Sequence, residues 1–385
     1  MNDTSADETL DELAADEPPG AESAGPTDDE LRAQCTSFLM GRGRPSPAQT
    51  LDEIASLGDE LGGDVYGAGG AVTALEARVQ ELLGKPAVVF MPSGTMAQQI
   101  ALRIHADRSG RRVVAFHPTC HLELYEDKAY QRLHGLIGRP VGDARELMTV
   151  EHLAGVKEPL AAVVFELPQR EIGGLLPSWQ DLRAQTAAVR ESGAAVHLDG
   201  ARLWECTTFY GRDLHEIAAL FDSVYVSFYK GLGGLAGCCL AGEDYLVAEA
   251  REWRSRHGGT LFAMWPYAAA GLVGLRDRLP RMPRYVEHAR AIAAALVDID
   301  GVEVRPDPPQ TPMMHLHLRT DADTYRAGAL RLVTEQKLWV GLRSASAELP
   351  GWRRIELTVG DATLEFTPDQ VRDIYAGLLT HPAIP

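Results

Sequence analysis

A single lysine ends an apolar, strand-like segment of the sequence. The segment spans residues 223–237 and reads SVYVSFYKGLGGLAG, with Lys230 between the apolar run and a group of glycines. A lysine amine forms a Schiff base with an aldehyde, and desolvation at the end of an apolar strand helps to keep the neutral amine available. The glycines permit close approach of another surface, although a simple bend would use them equally well. Lys230 is therefore the first candidate catalytic residue.

A carboxylate ends a second apolar run, which reads AAVHLDGARLW. An unpaired Asp199 at that place would be costly unless it met a positive partner, such as the protonated ring nitrogen of a ligand. A helix cap or an ion pair with Arg202 would satisfy the carboxylate as well. If Arg202 is not used in that way, its planar guanidinium suits the carboxylate of a substrate.

A third feature is the short segment PSGTM, which follows the apolar run AVVFM. Ser93, Gly94 and Thr95 place two hydroxyls and a bare backbone at the expected start of a helix, where unpaired N–H groups and the helix dipole attract an anion such as phosphate. Taken alone, the segment is explained more simply as an N-cap followed by a turn glycine.

The fourth feature is the segment HPTCHLELYEDKAY. His121 is suited to stacking on a flat heteroaromatic ligand or to taking a proton, and Glu126 would either hold its ring or act in its place. A lone histidine is more often structural, so this segment gains its meaning from the other three. An aldehyde for Lys230, a phosphate for residues 93–95 and a ring nitrogen for Asp199 together describe pyridoxal phosphate, which would act as the electron sink of the reaction.

The surrounding pattern predicts the elements that must position these residues. Residues 64–84 read as a turn and an amphipathic helix that stops at Gly84, and several apolar runs then feed helices through tight turns. Such alternation predicts an α/β domain with a mostly parallel sheet, whose ligands bind at the carboxyl ends of the strands. We expect a disordered acidic tail at 1–34, a large cofactor-binding domain at 35–274 and a small α+β domain at 275–385. The alternating run MMHLHL predicts a half-exposed sheet in the small domain.

Charge and composition exclude several functional classes. The formal net charge of −17 comes largely from residues 1–30, which hold eleven acidic residues and no lysine or arginine, and leave 43 acidic and 37 basic residues elsewhere. That balance is poor for binding nucleic acid. No apolar run is long enough for a transmembrane helix, and the first residues resemble neither a secretory signal nor a transit peptide. Five cysteines without paired spacing predict neither a disulfide framework nor a metal site. We expect a cytoplasmic protein.

In combination, the motifs resemble those of the L-threonine aldolase and β-eliminating lyase family. The matching segments are GDVYG at residues 63–67, VTALEARVQELLGKPAVVFMPSGTMAQQIAL, the segment 121–126, HLDGARLW and YKGLGG. The resemblance covers residues 62–242 well and the C-terminal region loosely. It implies the fold type I architecture of pyridoxal phosphate enzymes, with active sites completed across a dimer, so that a homodimer or homotetramer is expected.

The resemblance also implies a role for each candidate. Lys230 would form the Schiff base, Asp199 would pair with the pyridine nitrogen, and His121 would stack on the ring near the substrate hydroxyl. Residues 93–95 would hold the phosphate. The substrate, a small amino acid, would be bound by Arg202, Tyr66 and Arg354, the last of these only if the alignment of RRIELTVGD shifts by one residue.

Several segments depart from the family pattern, mostly where the substrate would bind. SFLMGRG lacks the usual serine and aspartate, AGGA stands at residues 68–71, ELPQREIGG replaces ENTHN, Asp127 and Lys128 replace two glycines, and GGTLFA has lost an arginine. The expected reaction is aldol cleavage of a threonine-like β-hydroxy-α-amino acid to glycine and an aldehyde, with His121, Glu126 or a water as the base. The alternatives are β-elimination or another reaction at Cα, and a non-catalytic protein that keeps the same fold.

Overall fold

The computed structural model describes residues 26–58 and 61–379. Its strands are β1 (Ser37–Phe38), β2 (Ala87–Met91), β3 (Val113–Phe116), β4 (Ile137–Pro140), β5 (Leu160–Glu166), β6 (Ala195–Gly200), β7 (Ser223–Ser227), β8 (Cys238–Gly242), β9 (Val302–Arg305), β10 (Met313–Leu318), β11 (Leu338–Trp339), β12 (Ala345–Ser346) and β13 (Arg353–Thr358).

The helices alternate with these strands over most of the chain. They are α1 (Asp28–Ala33), α2 (Pro47–Ala55), α3 (Gly70–Leu83), α4 (Gly94–Ser109), α5 (His121–Leu124), α6 (Ala129–His134), α7 (Val150–Gly155), α8 (Trp179–Glu191), α9 (Thr207–Tyr210), α10 (Leu214–Ala218), α11 (Asp244–Arg256), α12 (Trp265–Asp277), α13 (Met282–Leu296), α14 (Ala322–Gln336) and α15 (Pro368–Leu379).

The chain divides into two compact units. The larger unit comprises residues 45–283, and the smaller one combines the residues up to Arg44 with those from Arg284 onward. The boundary between residues 283 and 284 lies later than the predicted one at 275, because α12 continues to Asp277. Residues 35–44 group with the C-terminal residues and not with the large unit, because β1 pairs with β11.

The larger unit is built on a seven-stranded sheet in the order β2, β8, β7, β6, β5, β3, β4. Its strands run parallel except β8, which is antiparallel to both of its neighbours. The central strands β6 and β7 are buried almost throughout, as expected for strands that helices cover on both faces. The predicted, mostly parallel sheet is confirmed. Since β2, β5, β6 and β7 share one direction, their carboxyl ends meet at one edge.

The predicted helix before the first strand of this sheet is present as α3. Its apolar side chains are buried, and Gly84 ends it in the left-handed conformation that favours glycine. The following strand β2 leads through a short turn into α4, as the sequence indicated.

The smaller unit contains a four-stranded antiparallel sheet in the order β12, β13, β10, β9. The prediction of a half-exposed strand for MMHLHL was wrong: β10 is buried except at His317, which is half-buried, so side chains on both faces of this strand are covered.

The expected acidic tail lies partly outside the described residues, which begin at position 26. Residues 28–33, which lie within the predicted tail, form α1. Thr27 and Glu30 make a reciprocal capping box at its start, and the acidic first turn is favourable at a helix N-terminus. Within the described ranges, no helix combines the length and apolar character needed to cross a membrane.

Candidate active site

The carboxyl ends of the parallel strands carry most of the candidate residues. Asp199 lies near the end of β6, and Lys230 lies just beyond β7. His121 begins α5, which follows β3, and Ser93 follows β2. The fold therefore brings four segments that are far apart in the sequence to one edge of the sheet, where α/β folds bind their ligands.

Asp199 is buried at this edge, with 3% of its surface exposed. Its Oδ1 accepts a hydrogen bond of 3.1 Å from the main-chain N–H of Ala201. Burial raises the pKa of Asp199 to about 6, and the charges of His121 and Lys230 act in the opposite direction. A carboxylate in this environment is stabilised by a cationic partner.

Lys230 is half-buried, and its Nζ lies 5.1 Å from the centroid of the Tyr229 ring. Its charge is one of those that lower the pKa of Asp199. The predicted amine and the predicted carboxylate are thus part of one electrostatic cluster.

The start of α4 is built for close contact. Ser93 occupies the N-cap position, but its side chain makes no capping hydrogen bond, so the simpler explanation of this segment as a side-chain cap does not hold. Gly94 is buried against Tyr225, and a Cβ at that position would overlap the Tyr225 hydroxyl. Because first-turn N–H groups have no partner within the helix, those at the start of α4 are suited to bind an anion.

His121 and Glu126 form a hydrogen-bonded pair. His121 Nδ1 lies 3.0 Å from Glu126 Oε1, and the side chains are 30% and 1% exposed respectively. Burial alone would lower the pKa of His121, but the hydrogen bond and charge of Glu126, with the charges of Asp199 and Glu166, outweigh it and raise the pKa. The second oxygen of Glu126, Oε2, is buried without a hydrogen-bond partner among the described residues.

The turn after Glu126 keeps an unusual backbone. Asp127 and Lys128 have φ angles of 49° and 53°, in the left-handed region that glycine adopts most easily. Lys128 forms an ion pair of 3.0 Å with Glu123, which also accepts a hydrogen bond from the Tyr130 hydroxyl. These contacts hold a turn that two non-glycine residues would otherwise avoid, and they fix the chain just after Glu126.

The three expected substrate-binding residues are placed differently from one another. Arg202 follows β6, and its Nη1 donates a hydrogen bond of 3.3 Å to Glu205. Tyr66 is 58% exposed, and its ring packs edge-on against Phe262 at a centroid distance of 5.4 Å. Arg354 belongs to the smaller unit, where its main chain pairs with His317 across β13 and β10.

Two residues of this site were not among the predictions. Glu166 ends β5 and is the register partner of Asp199 on β6, and Tyr225 on β7 is the register partner of Asp199 on the other side. Burial, and then the charge of Asp199, raise the pKa of Glu166 to about 8. A usable signal was present for Glu166, because it ends the apolar run LAAVVFE in the same way that Asp199 ends its own. Glu166, Asp199 and Glu126 make this edge of the sheet acidic, and a protonated ring nitrogen would complement the Asp199 carboxylate.

Comparison with known proteins assigns the chain to a family. Residues 46–319 match the model of the beta-eliminating lyase family, and the chain belongs to that family. The predicted resemblance is thereby confirmed, and so is the expectation of a lyase. Among curated relatives, the low specificity L-threonine aldolase of Escherichia coli (strain K12) is 29% identical over 270 residues, which cover 69% of this chain and 79% of that protein.

Solved structures show the same architecture. A protein from Exiguobacterium sp. 255-15, provisionally assigned as an aromatic amino acid beta-eliminating lyase/threonine aldolase, superposes with a TM-score of 0.85 at 38% identity, covering 90% of this chain and 98% of that one. A protein from Listeria monocytogenes EGD-E, provisionally assigned as an L-allo-threonine aldolase, gives a TM-score of 0.85 at 38% identity, covering 91% and 98%. The predicted fold type I architecture is confirmed.

Proposed function

We propose that this protein is a pyridoxal phosphate-dependent aldolase that cleaves a threonine-like β-hydroxy-α-amino acid to glycine and an aldehyde. The observation that carries the proposal is the convergence of Lys230, Asp199 and the His121 and Glu126 pair at one edge of the sheet, in a chain of the beta-eliminating lyase family. The names of the aldolase relatives support the choice of reaction.

The donor set fits pyridoxal phosphate at both ends of that molecule. Asp199 supplies a buried carboxylate for the pyridine nitrogen. The first turn of α4, with Ser93, Gly94 and Thr95, supplies main-chain N–H groups and hydroxyls for the phosphate. Lys230 supplies the amine for the aldehyde, and the half-exposed ring of His121 supplies a flat surface. When bound, the cofactor provides the electron sink for the electron pair left at Cα.

The base of the reaction is His121 in this proposal. When the ring is neutral and donates its Nδ1 proton to Glu126, the lone pair of Nε2 remains available to accept the proton of the substrate hydroxyl. Removing that proton allows the Cα–Cβ bond to break and the aldehyde to leave. Because the pKa of His121 is raised, the base form develops only as the pH rises through that pKa.

Substrate recognition is assigned to Arg202, Tyr66 and Arg354. A guanidinium binds a carboxylate through two parallel hydrogen bonds, which suits Arg202 and Arg354 to the carboxylate of an amino acid. In this chain Arg202 already donates a hydrogen bond to Glu205. The substrate carboxylate would therefore share the guanidinium with Glu205 or displace Glu205 from it.

We also propose that the protein is a homodimer or homotetramer. Val65, Tyr66 and Phe262 are 56%, 58% and 66% exposed and form an apolar patch on two joined loops. Asp64 fixes these loops by accepting hydrogen bonds from the main chain of Gly67, Met264 and Trp265. A rigid, exposed aromatic patch is favourable only if another surface covers it, and a second copy would bring Tyr66 to a neighbouring site.

Replacing Phe262 with aspartate tests the dimer, because it places a charge in the proposed contact. We expect the wild-type protein to be at least dimeric and Phe262→Asp to shift toward monomer in size-exclusion chromatography with light scattering. Leu133→Asp, which places the same charge at another exposed apolar position, on α6, is the matched control. A monomeric wild type, or a variant with unchanged mass, contradicts the proposal.

A second reaction, β-elimination, is favoured by one observation. The segments that replace the family pattern, such as ELPQREIGG, lie beside the site, where Gln169 donates a hydrogen bond to Glu166. The Exiguobacterium protein carries both activities in its description. Elimination would release a keto acid and ammonia instead of glycine and an aldehyde.

An absorbance titration tests cofactor use. Adding pyridoxal phosphate to the cofactor-free protein should produce a visible band that glycine alters, and Lys230→Ala should abolish or shift that band. If the wild-type protein gives no protein-bound band, the proposed function fails.

For location, we propose the cytoplasm, supported by five cysteines that are all free and buried.

A further inference from the structure

Glu166 makes contacts that no role given above explains. It is the last residue of β5 and lies beside Asp199 on the neighbouring parallel strand. Two carboxyl groups side by side at a buried sheet edge are costly to ionise: burial raises the pKa of both, and the charge of Asp199 raises that of Glu166 further. Placing a second acid at this point costs free energy, which indicates that Glu166 has a functional role at the site.

The contacts of Glu166 join three segments. Its Oε2 accepts a hydrogen bond from the main-chain N–H of His121 at 3.2 Å and another from Gln169 Nε2 at 3.3 Å. Its Oε1 accepts from the main-chain N–H of Arg170 at 3.1 Å. One carboxylate therefore fastens the start of α5 and the turn at residues 169–170 to the end of the central sheet.

The contact with His121 replaces a missing cap. His121 is the first residue of α5, a helix of only four residues, and the N-cap residue Cys120 makes no side-chain cap hydrogen bond. The N–H of a first helical residue needs a partner from outside the helix. Glu166, 45 positions away in the sequence, supplies it. So short a helix has little stability of its own, and its place depends on such outside contacts.

We propose that Glu166 is a positioning residue for His121, capping α5 from the neighbouring strand so that the His121 ring stands correctly at the reacting centre. Glu126 fixes the ring through Nδ1, and Glu166 fixes the main chain that carries the ring. The consequence for catalysis rests on the proposed function, in which His121 is the base.

A carboxylate is needed for this task because three N–H donors converge on two acceptor oxygens. In Glu166→Gln, one of the two terminal atoms becomes an NH₂ donor and must face an N–H group, so at least one of the three bonds is lost. Glu166→Asp keeps the carboxyl group beside Asp199 but is shorter by one methylene and no longer reaches His121. The two variants separate the carboxyl group of Glu166 from its reach.

The matched control is Glu76→Gln. Glu76 also accepts a main-chain hydrogen bond, from Phe90 N–H at 2.8 Å, and it pairs with Arg251 away from His121. The same chemical change there removes a comparable set of contacts, and it shows what a loss of stability alone does to the enzyme.

The test combines hydrogen exchange with kinetics. In both Glu166 variants we expect the peptide containing residues 121–125 to exchange about tenfold faster or more, as a freed helix start does. We expect kcat to fall about tenfold or more, with KM changed much less, because a displaced base slows the chemical step. Glu76→Gln should change neither.

The proposal is overturned if exchange at residues 121–125 is the same in the Glu166 variants and in Glu76→Gln. It is also overturned if Glu166→Asp behaves as wild type, because a carboxyl group that does not reach His121 would then be sufficient. The exchange measurement does not depend on turnover. Absence of aldolase activity in the wild type therefore overturns the proposed function, while exchange still decides whether Glu166 caps α5.

Discussion

At the scale of single residues, the site is a histidine held from two sides by carboxylates. The ring of His121 is bonded to Glu126, and its main chain is bonded to Glu166. Asp199 stands beside Glu166, and its charge acts on His121 together with that of Glu126. This arrangement raises the pKa of His121 and favours one tautomer, with the proton on Nδ1 and the lone pair on Nε2. In the proposed reaction, a histidine held in this way is oriented to accept a proton at Nε2 when its ring is neutral.

Replacing Glu126 with glutamine tests how the charge of Glu126 sets the pKa of His121. The amide no longer stabilises a protonated ring, so the pKa of His121 falls and the acid limb of the kcat profile moves to lower pH. The plateau of kcat should fall about tenfold, because the ring is oriented less well. The check is a pH profile of kcat for both proteins. An acid limb at the same pH in both would show that Glu126 does not act on the base.

The sequence predicted the residues that end strands, and it missed contacts between distant segments. Lys230 and Asp199 each follow a continuous apolar run, so their placement at the sheet edge could be inferred from the pattern alone. The link from Glu166 to His121 joins positions 45 residues apart, and no local pattern indicates which main-chain N–H a side chain will reach. For the left-handed turn at Asp127 and Lys128 a signal was present, because these residues stand where the family pattern has two glycines, which adopt that backbone most easily.

At the scale of secondary structure, α4 is the element whose first turn forms the proposed anion site. Gly94 allows its first turn to lie against Tyr225, and Tyr225 is the register partner of Asp199 on β7. Strand, tyrosine and helix start are therefore in direct contact. The sequence predicted the strand and the helix that flank Gly94. It did not predict that Tyr225 requires a glycine there, because that contact depends on which strands pair.

Gly94→Ala tests this contact. The added Cβ would overlap the Tyr225 hydroxyl, so the helix start or the tyrosine must move. We expect a loss of about 1–3 kcal/mol in the free energy of unfolding, the usual cost of overpacking, and a weaker affinity of the cofactor-free protein for pyridoxal phosphate. Denaturant unfolding and a fluorescence titration measure the two effects.

Gly155→Ala is the control for this change. Gly155 ends α7, and a Cβ there meets no atom within 4 Å. Its unfolding and cofactor affinity should stay close to wild type. Equal behaviour of the two variants would mean that the approach of α4 to Tyr225 has no part in binding.

At the scale of the whole molecule, the buried ionisable groups of the larger unit change stability with pH in opposite directions. Burial lowers the pKa of His105 to about 4 and that of His197 to about 3, and both rings are bonded to Ser223 inside the core. Because these histidines stay neutral in the folded state, they lower the free energy of unfolding only below about pH 6.5, where the histidines of the unfolded chain bind protons. Asp199 and Glu166 act in the opposite direction: their pKa values are raised to about 6 and about 8, so they lower stability as the pH rises from about 4 toward these values.

The cofactor-free protein should therefore lose stability between pH 6.5 and pH 8. In the folded state Glu166 keeps its proton up to a pKa of about 8, whereas an unfolded glutamate has lost it above about 4.3, so the folded state binds more protons and stability falls as the pH rises. The expected loss is about 1 kcal/mol. Denaturant unfolding of the wild type and of Glu166→Gln at the two pH values measures it. The variant should show a flatter dependence, and an equal slope in both proteins would contradict the assignment.

The reaction itself gives the most direct test of the account. Purified protein loaded with pyridoxal phosphate is incubated with L-threonine or L-allo-threonine, and the products are quantified with Lys230→Ala as the control. We predict equal amounts of glycine and acetaldehyde from the wild type and none above background from the variant. Formation of 2-oxobutanoate and ammonia in their place, or no product from either amino acid, would contradict the proposed aldolase.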